Sequence, residues 1–175
     1  MNLIRDRGGI FRMLEDNLRV PSGVLYVLEN RFLSKRLIPS AFESMRVRRV
    51  HDYPARLASA LRRISPVEPG VSTRVILTPG PYNSAYFEHS FLARQMGVEL
   101  VQAPDLYVEH DQVFLHTIHG ARRVPVVYRR TDEALLHPEM FRPDSLLGVP
   151  GLMRAWTKGN IALANEPGNG VADNR

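Results

Sequence analysis

The sequence contains no cysteine, and that one absence removes disulfides, zinc–thiolate sites and thiol nucleophiles together. Lysine is almost missing as well. Of the 23 basic residues only Lys35 and Lys158 are lysines, the rest being arginine, which prefers planar, bidentate partners such as carboxylate and phosphate. No apolar run approaches the roughly 20 residues that a bilayer-spanning helix needs. The first residues, MNLIRDRGGIF, put charges where a secretory leader would have its apolar run. These absences lead us to expect a cytoplasmic protein with no membrane partner. G-x-S-x-G, the Walker A loop and G-x-G-x-x-G are also missing, so neither a hydrolase nucleophile elbow nor a glycine-rich phosphate cradle has a motif behind it.

What is there is 175 residues with a net charge of +5, enough for one domain or part of one. No run of Lys and Arg exceeds two residues, so nucleic-acid binding through an arginine-rich surface is the weaker expectation. Residues 1–64 read as a hairpin followed by helices. NLIRD, the turn Arg7-Gly8-Gly9 and the alternating IFRMLEDNLRV make the hairpin. A helix through VLYVLENRFLSKRLI follows, with Ser22 as its N-cap, and a second begins after Pro54. Residues 65–73, SPVEPGVST, form the linker.

Residues 74–147 change character. RVILT, a turn at PGPYNS, the helix AYFEHSFLARQMG and the short run VELVQ predict a β-α-β unit with parallel strands. Turns at 108–113 and 118–123 predict an antiparallel meander with strands near 113–117 and 124–129. Residues 148–175 bring a short helix, GVPGLMRAWTKG, the strand IALAN and the glycine-rich EPGNGVADNR. The fold class is α/β with a small mixed sheet.

The most chemically loaded segment is LEDNLR. On a strand Glu15, Asn17 and Arg19 share one face, with Leu14, Asp16 and Leu18 on the other. A carboxylate, an amide oxygen and a guanidinium together suit Mg²⁺ and the phosphates it bridges; a solvated strand face carrying a Glu–Arg pair is the alternative. Folding the hairpin about Gly8 brings Asn2 opposite Leu14 and Glu15, where it offers a third oxygen. Tyr82, Asn83, Glu88 and His89 follow the first parallel strand, where open α/β sheets bind their ligands. Arg129 and Arg130 sit at a strand end with Asp132 two residues on. Adjacent strand residues face opposite sides, so one arginine at most faces a given site, either clamping a carboxylate substrate or pairing with Asp132 or Glu133. Among the six histidines (His51, His89, His110, His116, His119 and His137), His116 and His119 lack helical metal-ligand spacing and read as structural or solvated.

Taken together, LEDNLRVPSG, LENR, LTPGPYNSAYFEHSFLARQMGVELV, YRR-x-D, LGVPGL and LANEPGNGVAD resemble the circularly permuted ATP-grasp proteins, type 2, over essentially the whole chain. The resemblance implies a ligase fold that uses ATP and Mg²⁺ to activate a small-molecule or peptide carboxylate as an acyl phosphate and delivers it to an amine. Glutathionylspermidine synthetase is a related enzyme of that kind. Glu15 and Asn17 match the family's magnesium-holding Glu-x-Asn, and Arg19 its neighbouring arginine. The unit from Arg74 onward resembles the Rossmann-like pre-ATP-grasp domain, and residues 1–64 part of the permuted grasp lobe. Asn165, Asp173 and Arg175 fall on the nucleotide side.

Three departures stand out: relatives tend to have Asp where this chain has Asn2, and an Asp–Lys pair where it has Asn174 and Arg175. The resemblance further implies a middle segment of a longer enzyme, inactive by itself, with the apolar faces of Leu25, Leu28 and Phe32 and of Ile161 and Leu163 left exposed for self-association. A decayed, non-catalytic binding module is the rival expectation.

Overall fold

The computed structural model describes residues 2–68, 73–136, 138 and 143–173. Strands β1 (Asn2–Arg5) and β2 (Phe11–Glu15) pair as an antiparallel hairpin, with Asn2 opposite Glu15. Helices α1 (Val24–Leu37), α2 (Pro39–Met45) and α3 (Tyr53–Arg63) follow. Then come β3 (Arg74–Leu77), α4 (Tyr86–Met96) and β4 (Glu99–Val101), the β-α-β unit that the sequence predicts. Gly97 closes α4 in the left-handed conformation that favours glycine at a helix C-terminus. Strands β5 (Leu106–Glu109), β6 (Gln112–Thr117) and β7 (Gly120–Arg123) form an antiparallel meander, and β8 (Val126–Arg129), α5 (Glu133–Leu136), α6 (Leu152–Thr157) and β9 (Ala162–Ala164) complete the order.

The central sheet is wholly parallel, in the order β4-β3-β8-β9. Strand alternation gives it two apolar faces. Val75, Leu77, Val127 and Leu163 join one cluster with the meander and α6, while Ile76, Val126 and Tyr128 join another with Ala58 and Leu61 of α3 and Leu92 of α4. The connection from β3 through α4 runs to one side of the sheet and that from β8 through α6 to the other. The strand order therefore reverses between β3 and β8, and a crevice opens beyond their carboxyl ends. No helix among the described residues is long and apolar enough to cross a membrane.

Several expectations need correction. The second hairpin strand stops at Glu15 instead of running to Val20. Ser22 does not cap α1; Gly23 does, at φ 102°, and its N–H is taken by Glu88. The strand expected over 124–129 does not belong to the meander: the meander closes with β7 at 120–123, inside the segment expected to be a turn, Pro125 offers no N–H to extend its ladder, and residues 126–129 form β8 of the parallel sheet. Leu25, Ile161 and Leu163 are buried, because α1 packs against α4 and because β9 joins the parallel sheet, where Ile161 and Leu163 pack with the meander and α6, whereas Leu28 is half-buried and Phe32 exposed. The linker expectation falls partly on residues 69–72, outside the described residues.

Candidate functional site

Two adjoining cavities sit where the hairpin meets the carboxyl ends of β3 and β8. The first, about 300 Å³, is lined by Glu15, Asp16, Asn17, Arg19, Asp132 and Asp173. Its wall is the irregular segment after β2, which two distant groups hold in place. Asp173 accepts hydrogen bonds from the backbone N–H groups of Leu18 and, at 3.0 Å, of Arg19. Those bonds, the Leu18 N–H first, hold the Asp173 carboxyl below the ordinary carboxylate range, and the Arg19 charge adds to the effect. Asn165 donates through Nδ2 to the Leu18 carbonyl at 2.6 Å, and Arg19 donates to the Gly170 carbonyl at 3.3 Å.

Asn2 donates to Glu15 Oε1 at 2.6 Å, so the hairpin register brings its side chain to the rim of this cavity. Oxygen donors of this kind suit a hard cation. Among the described residues no three His, Cys, Asp or Glu side chains converge into a cage.

The second cavity, about 250 Å³, shares Val20 and Asp132 with the first and reaches Ser22, Asn83, His89 and Arg130. Arg130 is buried; Nη2 donates to Glu88 Oε1 at 3.3 Å and Nη1 to the Tyr128 hydroxyl at 3.2 Å, while Nε has no partner among the described residues. His89, in the first turn of α4, is fully buried. Its Nδ1 lies 2.8 Å from Thr78 Oγ1, and its Nε2 has no partner among the described residues. Burial, reinforced by the Arg130 cation, lowers its pKa from 6.5 to about 4.

The remaining predicted residues divide by what they touch. Arg129 is buried and spends its donors on the carbonyls of Asn165 (2.6 Å), Thr131 (3.1 Å) and Glu166 (3.3 Å), with Glu133 at 3.6 Å. It pins the turn after β9 and lines neither cavity, whereas its neighbour Arg130 does line one. Tyr82 is fully exposed and lines neither. Asn83 accepts the Ala85 N–H at 2.9 Å, shaping the turn into α4, and Glu88 acts through Arg130. His116 stacks on Tyr107. Arg175, Asn174 and His137 lie outside the described residues.

Sequence reasoning missed Asp16, assigned to the opposite strand face; the signal against that was the end of strand-forming residues at Glu15. It also missed Thr78, readable as the residue leaving a parallel strand toward a ligand crevice. Lys158 pairs with Asp111 at 2.5 Å on the turn between β5 and β6 and lines neither cavity.

A model of the family described as circularly permuted ATP-grasp type 2 matches residues 1–175. An uncharacterized protein of Mycobacterium tuberculosis (strain H37Rv) is 54% identical over 175 residues, all of this chain and 32% of that protein. An uncharacterized protein of Synechocystis sp. (strain PCC 6803) is 52% identical over 174 residues, 99% of this chain and 36% of its own length. A Frankia alni protein named "Putative glutamate--cysteine ligase 2-3" is 40% identical over 179 residues, which is 20% of its length. The chain thus spans about a third or less of each of these relatives.

Proposed function

The chain belongs to the circularly permuted ATP-grasp type 2 family, and from that premise we propose that it carries the magnesium and substrate groups of an ATP-dependent carboxylate–amine ligase. The γ-phosphoryl of ATP passes to a substrate carboxylate, giving an acyl phosphate and ADP; the amine then displaces phosphate and an amide forms. Bound here, Mg²⁺ would supply neutralisation of the charge on the transferring phosphoryl group. Glu15 and Asn17 provide oxygens for it, with Asp16 beside them. Arg19, fixed by Gly170 and Asp173, stabilises charge developing on the phosphoryl oxygens. Arg130 serves the substrate side. Asp173 and Asn165 support the nucleotide side by holding the backbone of 18–19.

The observation that carries this reading is the acidic cavity around Glu15 and Asn17, joined through Asp132 to a cavity containing a buried arginine. Titration of Mg–ATP into the chain tests it, with binding expected and Glu15→Gln weakening it at least tenfold by loss of a ligand charge. Hydroxamate trapping on the full-length Mycobacterium tuberculosis relative tests the chemistry. Absence of hydroxamate with every carboxylate tried, despite bound ATP, would overturn the ligase reading.

A second reading, a non-catalytic remnant or binding module that has lost nucleotide handling, is favoured by one contact. The Asn2 amide occupies Glu15 Oε1, where an aspartate would add an anionic oxygen. Asn2→Asp separates the two: recovered or tightened Mg–ATP binding supports the ligase, and unchanged absence of binding supports the module.

A further inference from the structure

Arg19 packs directly on the backbone of Gly170. A Cβ built on Gly170 would stand 2.7 Å from Arg19 Cζ and from Nη2, and closer still to Nε. The guanidinium therefore fills the space that any other residue at 170 would need for its side chain. The backbone of Gly170 lies outside the left-handed region, so glycine is required there for room and not for conformation. Gly170 is buried, and its carbonyl and Asp173 of the same turn flank the guanidinium, at 3.3 Å from Nη2 and 3.7 Å from Nε. Nε is shielded from solvent, while the side chain as a whole keeps 40% of its surface exposed and lines the acidic cavity.

The turn that carries Gly170 is anchored along its length. Glu133 accepts the Gly168 N–H at 2.9 Å, Val171 donates to the Gly168 carbonyl at 3.2 Å, and buried Arg129 holds the carbonyls of Asn165 and Glu166. Asp173 ties the far end to the backbone N–H groups of Leu18 and Arg19. Arg19, by contrast, reaches Gly170 with the end of a long side chain that can rotate away. A methyl group at 170 therefore displaces the guanidinium and leaves the turn in place.

We infer that Gly170 is a positioning residue of the acidic cavity: having no side chain, it seats the Arg19 guanidinium in the cavity wall, and that seat gives the site its grip on the terminal phosphoryl group of a nucleoside triphosphate. The seat rests on the packing alone; its use for phosphate rests on the ligase reading above. On that reading Arg19 meets the phosphoryl group that is transferred, which ADP lacks, so the contact distinguishes the two nucleotides.

Two measurements on the full chain test this, and the first needs no nucleotide. A shielded Nε–H exchanges slowly with water, so Arg19 is expected to give a resolved Nε–H resonance in nitrogen-edited NMR, assigned by its loss in Arg19→Ala. Gly170→Ala is expected to shift or abolish that resonance while its urea midpoint stays within about 0.5 M of the wild type. An unmoved resonance would overturn the inference, as would a larger fall in the midpoint, which would mean that the turn moves instead of Arg19. The second measurement is calorimetric titration with Mg–ATP and Mg–ADP. The wild type is expected to prefer Mg–ATP, and Gly170→Ala to reduce that preference about tenfold, the size of one charge-assisted contact, with no further loss when combined with Arg19→Ala. An unchanged preference, or a loss of equal size in the Arg19→Ala background, would also overturn it. Failure of the wild type to bind Mg–ATP, with the resonance moved as expected, removes the ligase reading and keeps the seat; Mg–ATP binding with an unmoved resonance does the reverse.

Discussion

Glu88 and Arg130 form an ion pair at 3.3 Å with both side chains almost wholly buried, and the second oxygen of Glu88 accepts the Gly23 N–H at 2.6 Å. One carboxylate thereby neutralises the arginine of the substrate-side cavity and fixes the start of α1. Removing one member of such a pair leaves the other charge uncompensated. Glu88→Ala is expected to destabilise the fold by ~3–5 kcal/mol, read from the urea unfolding midpoint. A loss below about 1 kcal/mol would mean that water reaches Arg130.

His89 gives the fold a specific acid sensitivity. Its pKa is depressed in the folded state, so between pH 6.5 and about 4 the unfolded chain binds a proton that the folded chain refuses. Stability supplied by the neutral ring is complete above pH 6.5 and falls as the pH drops toward 4, by ~3 kcal/mol across the window. Comparing unfolding of the wild type and His89→Phe at pH 4.5 and 7.5 isolates this term. An identical pH dependence in the two proteins would contradict the burial of the ring.

The wall of the acidic cavity depends on Asp173. Asp173→Asn replaces one of the two oxygens that receive the Leu18 and Arg19 N–H groups with an amide nitrogen and removes the partner charge of Arg19. Groups that orient metal ligands without touching the ion typically govern about 10–100-fold in affinity. Mg–ATP binding by Asp173→Asn is expected to weaken within that range while the circular dichroism spectrum stays unchanged. Unaltered binding would show that the 17–19 segment holds its shape unaided.

Gly148 tests the packing behind the substrate-side cavity. A Cβ there would stand 2.6 Å from the carbonyl oxygens of both Leu135 and Leu136, backbone atoms that cannot swing away. Gly148→Ala is expected to cost ~1–3 kcal/mol, measured by thermal unfolding.

The β-α-β unit was legible in the sequence because its signals are local: a β-branched run, a helix closed by Gly97 and a second short run. Glu15 and Asn17 line one cavity, but Asp16 lines it too, because the strand ends at Glu15 and the alternation that separated Asp16 from them does not continue past it. What stayed hidden depends on distant contacts. Nothing near Arg129 reveals that it turns its donors to residues 165 and 166, and nothing near His89 reveals that Thr78 pairs with one nitrogen and that the other is buried without a partner among the described residues. The exposed apolar faces expected on β9 failed for the same reason, since burial of Ile161 and Leu163 requires the meander and α6 to be in place.

The bond between Leu18 and Asp173 joins residues 155 positions apart, and that from Asn165 to Leu18 spans 147. Contacts of such separation close large loops, and their entropy must be met before any of their energy is gained. The β-α-β unit and the meander consist of near-neighbour pairings and can assemble early. The acidic cavity is then the last part of the molecule to take shape during folding and the first to loosen under denaturant, so sensitivity to mild denaturant at this site precedes the loss of helix and sheet.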